Sequence, residues 1–415
     1  MPQEGLYRAL GVSNIQHFQI YNSYQQSGWL HFPLKLKREY VRCSHCKGDN
    51  VIIKRWSLRQ LTVPPVGNKP AMLMVDVPRV YCKGCQCEQQ AHLPFAEPKK
   101  QHTRQFAKYI IQLRKHMTLR DLAAHTGVSD YTIREIEKRY LQRHFERPRL
   151  RQVTRLGIDE ICIGKGHRYL TIVMDLTRGN VLFVGEGKGH EGLKPFFRSL
   201  KASRAKIEAV AIDLSPAFQS AVKQDLPEAL VVCDHFHITK LFNEQLSVLR
   251  RELYHEATTK LEKDVLKGTR WLILKNQEHL SQEPGHKKMK HQTEYQRLEE
   301  ALKLNKSLAT AYYLKEELRE FWQQADTKHA ERFLDDWCQR ATASGIRVML
   351  KFAKTLQTHR QGLLNWYQCP ISTGPLEGTN NKIKTLQRQA YGFRDQHYFK
   401  LKIYALHLSR YKLIG

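Results

Sequence analysis

Two pairs of cysteines, each with the spacing Cys-x-x-Cys, constrain the fold of this chain more than any other feature. The first pair is Cys43 and Cys46, and the second is Cys82 and Cys85. A tetrahedral Zn²⁺ ion takes four soft ligands, and each Cys-x-x-Cys turn can supply two thiolates to one ion. Because strand-like apolar runs fill the segment between the pairs, we predict a small β-ribbon closed by a structural zinc ion.

Cysteine usage in the rest of the chain agrees with a metal site. The chain has nine cysteines, an odd number, and its start carries no recognisable secretory signal. A reducing compartment with a bound metal therefore explains the pairs better than a disulfide framework. Two reduced pairs without metal are the alternative. His45 and Cys87 are further donors that could replace one of the four ligands.

The net charge of +28, from 68 Lys and Arg against 40 Asp and Glu, predicts a polyanionic partner. The basic excess is spread along the chain, so a long nucleic-acid footprint explains it better than a basic tail. A ribosomal or merely solubilising role is the alternative. With 41% hydrophobic residues, a largely disordered chain is excluded. No apolar run reaches the length of about 18 residues that suggests a membrane span, so we expect no membrane partner.

A helix-turn-helix pattern follows the cysteine-rich segment. Residues 119–125 predict a short helix, Gly127 a tight turn, and Ser129 the N-cap of a second helix over 130–139. An ordinary helical hairpin is the alternative. Three side chains near the start of the second helix are candidates for contacts with base edges or phosphates: Tyr131, Thr132 and Arg134.

Residues 151–238 have the pattern of a mixed α/β domain. Three strands joined by tight turns, the first turn at 164–167, precede a helix, a strand, a helix and a fifth strand. Residues 239–370 then predict a long all-helical segment, broken at 283–285. In such an order the first and fourth strands can lie side by side.

Two acidic residues fall on those neighbouring strands. Asp159 lies inside the first strand and Asp213 ends the fourth. Like charges brought together raise each other's pKa unless a divalent cation lies between them, and hard cations prefer oxygen ligands. The pair therefore predicts a Mg²⁺ or Mn²⁺ site. Glu160 is expected to point to the opposite face, and Asp175 and Asp225 are weaker candidates.

A third acid is needed to complete such a site, and Glu377, near the start of the last helical region, is the candidate. Asn380 and Lys384 follow at i+3 and i+7, where they could contact a phosphate backbone. Two cations held by three carboxylates are suited to in-line phosphoryl displacement. The alternative is that the three acids are unrelated partners of salt bridges.

Asp234 and His237 follow the fifth strand. His237 is a candidate for orienting water or a scissile phosphate, and Asp234 for holding that histidine or assisting the metal. A structural role for the histidine is the alternative.

Together these features resemble a bacterial insertion-sequence transposase of the DDE class, and most closely the family of the ISL-three insertion sequences. The resemblance spans nearly the full chain. Its most specific segments are residues 157–160, 233–237, 270–276 and 377–384.

The resemblance implies an α/β fold in which a ribonuclease H-like mixed-sheet catalytic core is interrupted by an all-helical insertion. A zinc-ribbon domain (1–95) and a helix-turn-helix domain (96–150) would precede the core (151–238), and the insertion (239–370) would separate it from a C-terminal part (371–415). Asp159, Asp213 and Glu377 would form the metal-binding triad, with Asp234 and His237 beside them.

The resemblance also implies an activity and its partners. The enzyme would cleave double-stranded DNA at the terminal inverted repeats of its element by hydrolysis and join the ends to target DNA by transesterification. It would act as a homodimer or larger assembly in the bacterial cytoplasm, associated with the nucleoid. Trp271 would be a base-stacking residue, although a core tryptophan in a helical bundle is the favoured alternative. A non-catalytic DNA-binding regulator and a stand-alone metal-dependent nuclease are the rival functions.

Overall fold

The computed structural model describes residues 2–164, 168–283 and 293–407. The chain forms two compact units, one ending at Glu146 and the other covering Arg147–His407. The predicted turn at 164–167 and the predicted break at 283–285 lie largely outside the described residues. Among the described helices, none combines the length and the apolar character needed to cross a lipid bilayer.

The first unit begins with helix α1 (Pro2–Ala9) and a six-stranded sheet. The strands are β1 (Phe18–Ile20), β2 (Tyr24–Gln26), β3 (Trp29–Leu36), β4 (Val51–Val66), β5 (Lys69–Cys82) and β6 (Cys87–Gln90), with short 3₁₀ helices at Ile15–His17 and Arg38–Tyr40. The sheet order is β1-β3-β5-β4, with β2 paired to β3 and β6 to β5. Ala71, Leu73 and Val75 on β5 are fully buried and alternate with partly exposed residues, the period of a strand with one face in the core.

Three helices follow the sheet: α2 (Arg104–Leu113), α3 (Leu119–Thr126) and α4 (Asp130–Phe145). The Ser129 side chain accepts a hydrogen bond from the Thr132 backbone N–H at 3.3 Å, which makes it the N-cap of α4. Gly127 has φ +67°, a conformation open to glycine, and its N–H closes α3 on the Ala123 carbonyl. The cap and the turn that the sequence predicts are both confirmed.

The second unit contains a five-stranded sheet in the order β11-β10-β7-β8-β9. Its strands and crossover helices are β7 (Arg155–Gly164), β8 (Arg168–Asp175), β9 (Asn180–Glu186), α5 (Gly189–Ser203), β10 (Ala209–Ile212), α6 (Pro216–Asp225) and β11 (Leu230–Cys233). Strands β7, β8 and β9 are antiparallel, whereas β10 runs parallel to both β7 and β11. The predicted order of strands and helices is confirmed, and so is the adjacency of the first and fourth strands.

After β11 the regular elements of the described residues are all helical. They are α7 (His235–Glu256), α8 (Lys260–Gly268), α9 (Glu294–Leu304), α10 (Lys306–Leu318), α11 (Thr327–Ala343), α12 (Arg347–Thr358), α13 (Arg360–Leu364), α14 (Gly374–Gln389) and α15 (Gln396–Tyr404), with 3₁₀ helices at Gln277–His279, Arg319–Gln323 and Asn365–Tyr367. Phe242, Trp337 and Phe352 form an aromatic cluster in the core of this helical part.

Helix α14 returns to the sheet. Leu376 and Ile383 are fully buried in one cluster with residues of β8 and β9. At Gly157 on β7, an added Cβ would lie 2.7 Å from Leu376 Cδ1, closer than van der Waals contact permits. The absence of a side chain at Gly157 therefore lets α14 approach β7 in this position.

Candidate active site and metal centre

Four cysteines meet in the first unit at the turns that flank β4 and β5. The Sγ atoms of Cys43, Cys46, Cys82 and Cys85 all lie within 4.8 Å of one another, and those of Cys46 and Cys82 are 3.7 Å apart. Backbone N–H groups donate to sulfur at 3.4 Å within each turn, from His45 to Cys43 and from Cys85 to Cys82. Four thiolates at this spacing can bind one tetrahedral zinc ion.

The protonation of Cys43 also suits a metal ligand. Burial alone would raise the pKa of this thiol, but hydrogen bonds from the backbone N–H groups of Cys46 and His45 outweigh it and lower the pKa to about 6. The spare donors lie at the edge of the group: His45 Nδ1 is 3.4 Å from Cys85 Sγ, and Cys87 Sγ is 3.5 Å from the amide of Gln89.

In the second unit, Asp159 and Asp213 lie at the same level of two neighbouring strands. The parallel register pairs Ala211 on β10 with Gly157 on β7, so the residues two places further on are Asp213 and Asp159. Because side chains alternate along a strand, both carboxylates are on the face where Ala211 and Gly157 point. The sheet thus brings together two of the three predicted acids.

The electrostatics of Asp159 reflect this crowding. Burial raises its pKa to about 6, and the negative charges of Asp213 and Glu160 add to the rise. The Glu160 backbone N–H, which donates to Asp159 Oδ1 at 2.7 Å, and the charge of His237 oppose it. A carboxylate in this position gains from a nearby cation, which would favour its ionised form.

Helix α14 contributes the next contact. The Asn380 side-chain Nδ2 donates to Asp159 Oδ2 at 2.7 Å, and only 7% of Asn380 is exposed. The expectation that Asn380 faces a phosphate backbone together with Lys384 therefore differs from what the structure shows. Lys384 is exposed, whereas Asn380 is buried against the carboxylate of Asp159.

Glu377 lies one turn before Asn380 on α14 and is exposed. Its helix is fixed next to Asp159, but the three acids are not gathered as a group that could share a metal ion. Among the described residues, the four cysteines form the one such group. The structure thus places Glu377 on the helix that contacts Asp159 without closing the three carboxylates into one cluster.

Asp234 and His237 lie at the start of α7, directly after β11. Asp234 is 1% exposed, caps α7 by accepting from the Phe236 N–H, and accepts a hydrogen bond from the Thr373 hydroxyl. Asp234 therefore ties the end of β11 to the residue that precedes α14, a structural contact that the sequence did not reveal. His237 is half-buried and close enough for its charge to act on Asp159.

The weaker candidate acids have structural partners. Glu160 accepts a hydrogen bond of 3.1 Å from the Gly189 N–H at the start of α5. Asp175 is buried and accepts from the backbone N–H groups of the turn that follows β8. Asp225 accepts from His190 and Lys201 at 2.9 and 2.8 Å.

Of the predicted DNA-contacting residues at the start of α4, Tyr131 is exposed, whereas Thr132 and Arg134 are partly buried. Tyr131 is 61% exposed, and the Arg134 guanidinium lies over its ring at 5.4 Å. The Thr132 hydroxyl lies 3.0 Å from that of Ser129, in the cap of the helix. The Tyr131 ring and the Arg134 guanidinium therefore lie together at the start of α4.

Trp271 is 66% exposed, so the interpretation of a core tryptophan is wrong. The next residues, Leu272 and Ile273, are buried instead, and the Arg270 guanidinium lies 4.8 Å from the Trp271 ring. Buried Lys315 holds this turn by donating to the carbonyls of Ile273 and Lys275 at 3.3 and 2.7 Å. The turn that exposes the Trp271 ring is therefore held in place by buried contacts.

Three family models match successive parts of the chain. A zinc-finger model of the transposases IS204, IS1001, IS1096 and IS1165 matches residues 39–85, a helix-turn-helix model of transposase family ISL3 matches residues 91–141, and a model described as a transposase matches residues 156–403. The transposase of insertion sequence IS1001 from Bordetella parapertussis is 29% identical over 90% of both chains.

A second relative is the transposase of IS1557 from Mycobacterium tuberculosis, 29% identical over 59% of this chain and 58% of that protein. The Drosophila P element transposase strand transfer complex matches with a TM-score of 0.36 and 9% identity, over 73% of this chain and 91% of that chain. The family matches define the chain as an insertion-sequence transposase. It belongs to the ISL3 family of DDE transposases, since the model of that family covers more than half of its length. Membership implies a DNA-binding enzyme that cleaves DNA, transfers strands and uses a divalent metal.

Proposed function

We propose that this transposase binds the terminal inverted repeats of its element, cleaves DNA there and joins the freed 3′ ends to target DNA. Residues 151–238 and 371–415 form a ribonuclease H-like core, and residues 239–370 are a helical insertion within it. The observation that carries the proposal is Asp159 on β7 next to Asp213, which directly follows the adjacent parallel strand β10, with the helix of Glu377 contacting Asp159 through Asn380.

In this proposal Asp159, Asp213 and Glu377 hold two Mg²⁺ or Mn²⁺ ions. When bound, such ions lower the pKa of a coordinated water or hydroxyl and stabilise the leaving oxygen. The raised pKa of Asp159 supports the assignment, because crowded and partly buried carboxylates favour binding of a divalent cation. In this proposal Glu377, one turn from Asn380 on the same helix, completes the site when its exposed side chain turns towards Asp159.

Two phosphoryl transfers follow. In hydrolysis, a water oxygen bonds to phosphorus, the bond from phosphorus to the 3′ oxygen breaks, and that oxygen leaves as a 3′-hydroxyl after accepting a proton. In joining, the 3′ oxygen bonds to a target phosphorus as its proton leaves, and the target bond from phosphorus to its own 3′ oxygen breaks. His237, beside Asp159, orients the attacking water or the scissile phosphate, and Asp234 holds the start of α7 that carries it.

Other residues bind the DNA. The zinc ribbon and α4 contact the terminal repeats, with Tyr131, Thr132 and Arg134 on base edges and phosphates. Lys384, exposed on α14, contacts the backbone near the scissile bond, and Trp271 stacks on an unpaired base. Two element ends must be cut together, so the active form is a homodimer or larger assembly, working on nucleoid DNA in the bacterial cytoplasm.

The test is cleavage of end-containing DNA with Mn²⁺ by the wild type, Asp213→Asn and Asp225→Asn. Asp213→Asn should bind the ends and lose cleavage, whereas Asp225→Asn, which alters a structural acid, should keep it. Cleavage by Asp213→Asn would remove that residue from the site. End binding by the wild type without any cleavage would favour the regulator, and cleavage without joining would favour the nuclease.

A further inference from the structure

Of the two polar atoms in the Asn380 side chain, one has a hydrogen-bond partner and the other has none. Its Nδ2 donates to Asp159 Oδ2 at 2.7 Å. Its Oδ1 is buried and has no hydrogen-bond partner. Because an ionised carboxylate can only accept, the amide must present nitrogen to Asp159, and Oδ1 is the atom left over. A buried acceptor without a partner is unfavourable, so its presence requires an explanation.

We propose that Asn380 Oδ1 is an oxygen ligand of a divalent cation held by Asp159 and Asp213. This inference rests on the metal site of the proposed function and adds a residue to it. Oδ1 shares a carbon with the nitrogen that contacts Asp159, so it lies beside the same carboxylate. Both strands and the helix are fixed by buried residues, Ile158 on β7, Ile212 on β10 and Ile383 on α14.

The chemistry of an amide oxygen suits this position. Mg²⁺ and Mn²⁺ take carboxylate, carbonyl and water oxygens. Two carboxylates, Asp159 and Asp213, already lie next to each other at the sheet. A further carboxylate there would add repulsion, whereas an amide adds a ligand without adding charge. The same amide fixes the orientation of Asp159 through Nδ2, as partners of metal ligands commonly do.

A role in contacting DNA does not explain the geometry. Asn380 is 7% exposed, whereas its neighbour Asn381 on the same helix is exposed. A phosphate oxygen accepts hydrogen bonds, so it could not satisfy Oδ1, which is itself an acceptor. A cation, or a water bound to one, would satisfy this unpartnered oxygen next to the carboxylate of Asp159.

The experiment measures Mn²⁺ binding to the zinc-loaded full-length protein without DNA, by titration calorimetry and by the electron paramagnetic resonance signal of free Mn²⁺. The variants are Asn380→Ala, Asn380→Asp, Asp213→Asn and, as the matched control, Asn381→Ala. Asn380→Ala should weaken binding at least tenfold, as loss of a partner of a metal site typically does. Asn381→Ala should bind as the wild type does.

Asn380→Asp separates a ligand from a purely positioning residue. A carboxylate keeps an oxygen at the place of Oδ1, so this variant should bind Mn²⁺ at least as tightly as the wild type. If Asn380 acts only by donating Nδ2 to Asp159, the variant loses that donor and should bind as weakly as Asn380→Ala, which would overturn the inference. Wild-type binding that is insensitive to both Asn380→Ala and Asp213→Asn would overturn the metal site itself, and sensitivity to Asp213→Asn alone would overturn only the role of Asn380.

Discussion

Replacing Gly157 by alanine tests how closely helix α14 must approach strand β7. The added Cβ would lie 2.7 Å from Leu376 Cδ1 and 2.9 Å from Leu176 Cδ2. Carbon atoms pack best at about 3.5–4.0 Å, so either the backbone at position 157 or the neighbouring leucines have to move by about 1 Å. Leu376 is fully buried in the cluster that α14 forms with β8 and β9, so its side chain is surrounded by other core residues. We therefore expect the helix, and Glu377 with it, to move away from the sheet.

The size of the effect follows from that displacement. Overpacking of a core by one methyl group typically costs about 1–3 kcal/mol of folding free energy. A shift of about 1 Å at reacting groups can cost about 100-fold in rate. Gly157→Ala should therefore remain folded but lose most of its DNA cleavage. A loss of activity much larger than the loss of stability is the signature of a positioning effect.

A double-mutant cycle with Leu376→Ala isolates the contact. Leu376→Ala alone removes a fully buried side chain and should cost about 2–5 kcal/mol. In the double variant the two changes compensate in volume, so the cost should fall below the sum by about 0.5–3 kcal/mol. Urea unfolding followed by tryptophan fluorescence and cleavage of end DNA are the assays. Gly164→Ala, where nothing lies within 4 Å of the added Cβ, is the control. Additive costs, or full activity of Gly157→Ala, would refute the reasoning.

Three further predictions concern zinc, pH and the exposed tryptophan. Cys82→Ala should lower zinc content below one ion per chain and increase amide exchange in the ribbon, whereas Cys87→Ala should retain zinc; equal zinc content in both would contradict the four-cysteine site. Burial lowers the pKa of His102 to about 4, so the unfolded state binds a proton before the folded state does as the pH falls. Thermal stability should therefore fall as the pH drops from about 6.5 towards 4, and less steeply in His102→Gln. Parallel pH profiles of the wild type and His102→Gln would show that His102 does not cause the loss. Trp271→Ala should leave the urea midpoint nearly unchanged and impair DNA cleavage, whereas Trp337→Ala should cost about 3–5 kcal/mol; a large destabilisation by Trp271→Ala would show a packing role.

Much of the fold could be predicted because local rules act over short stretches of chain. Ser129 and Gly127 have strong preferences for a helix cap and a left-handed turn, and both positions are confirmed. The two Cys-x-x-Cys turns need only a hairpin to meet. The strand order of the second unit follows from turns and short connections, which also place Asp159 beside Asp213.

Burial of single polar or aromatic side chains could not be predicted in the same way. Asn380 and Lys384 share a helix, and the sequence gives no measure of which of them faces the sheet. Trp271 belongs to an apolar run, yet Leu272 and Ile273 fill the core and leave the larger ring outside. The contact between Thr373 and Asp234 joins residues 139 positions apart. Local sequence patterns do not show which residues meet over such a separation.

The location of Glu377 is set by a few contacts that α14 makes with the sheet and with the residue after β11. Thr373 binds Asp234 after β11, Leu376 fills the space above Gly157 on β7, and Asn380 binds Asp159 on the same strand. These contacts fix two turns of one helix against two strands. The entropy of closing an intervening segment grows only slowly with its length, so the helical part can be long without a large cost to this arrangement. Changes within the helical part should therefore affect its own surface, such as the turn of Trp271, and leave the position of the third acid unchanged as long as these three contacts remain.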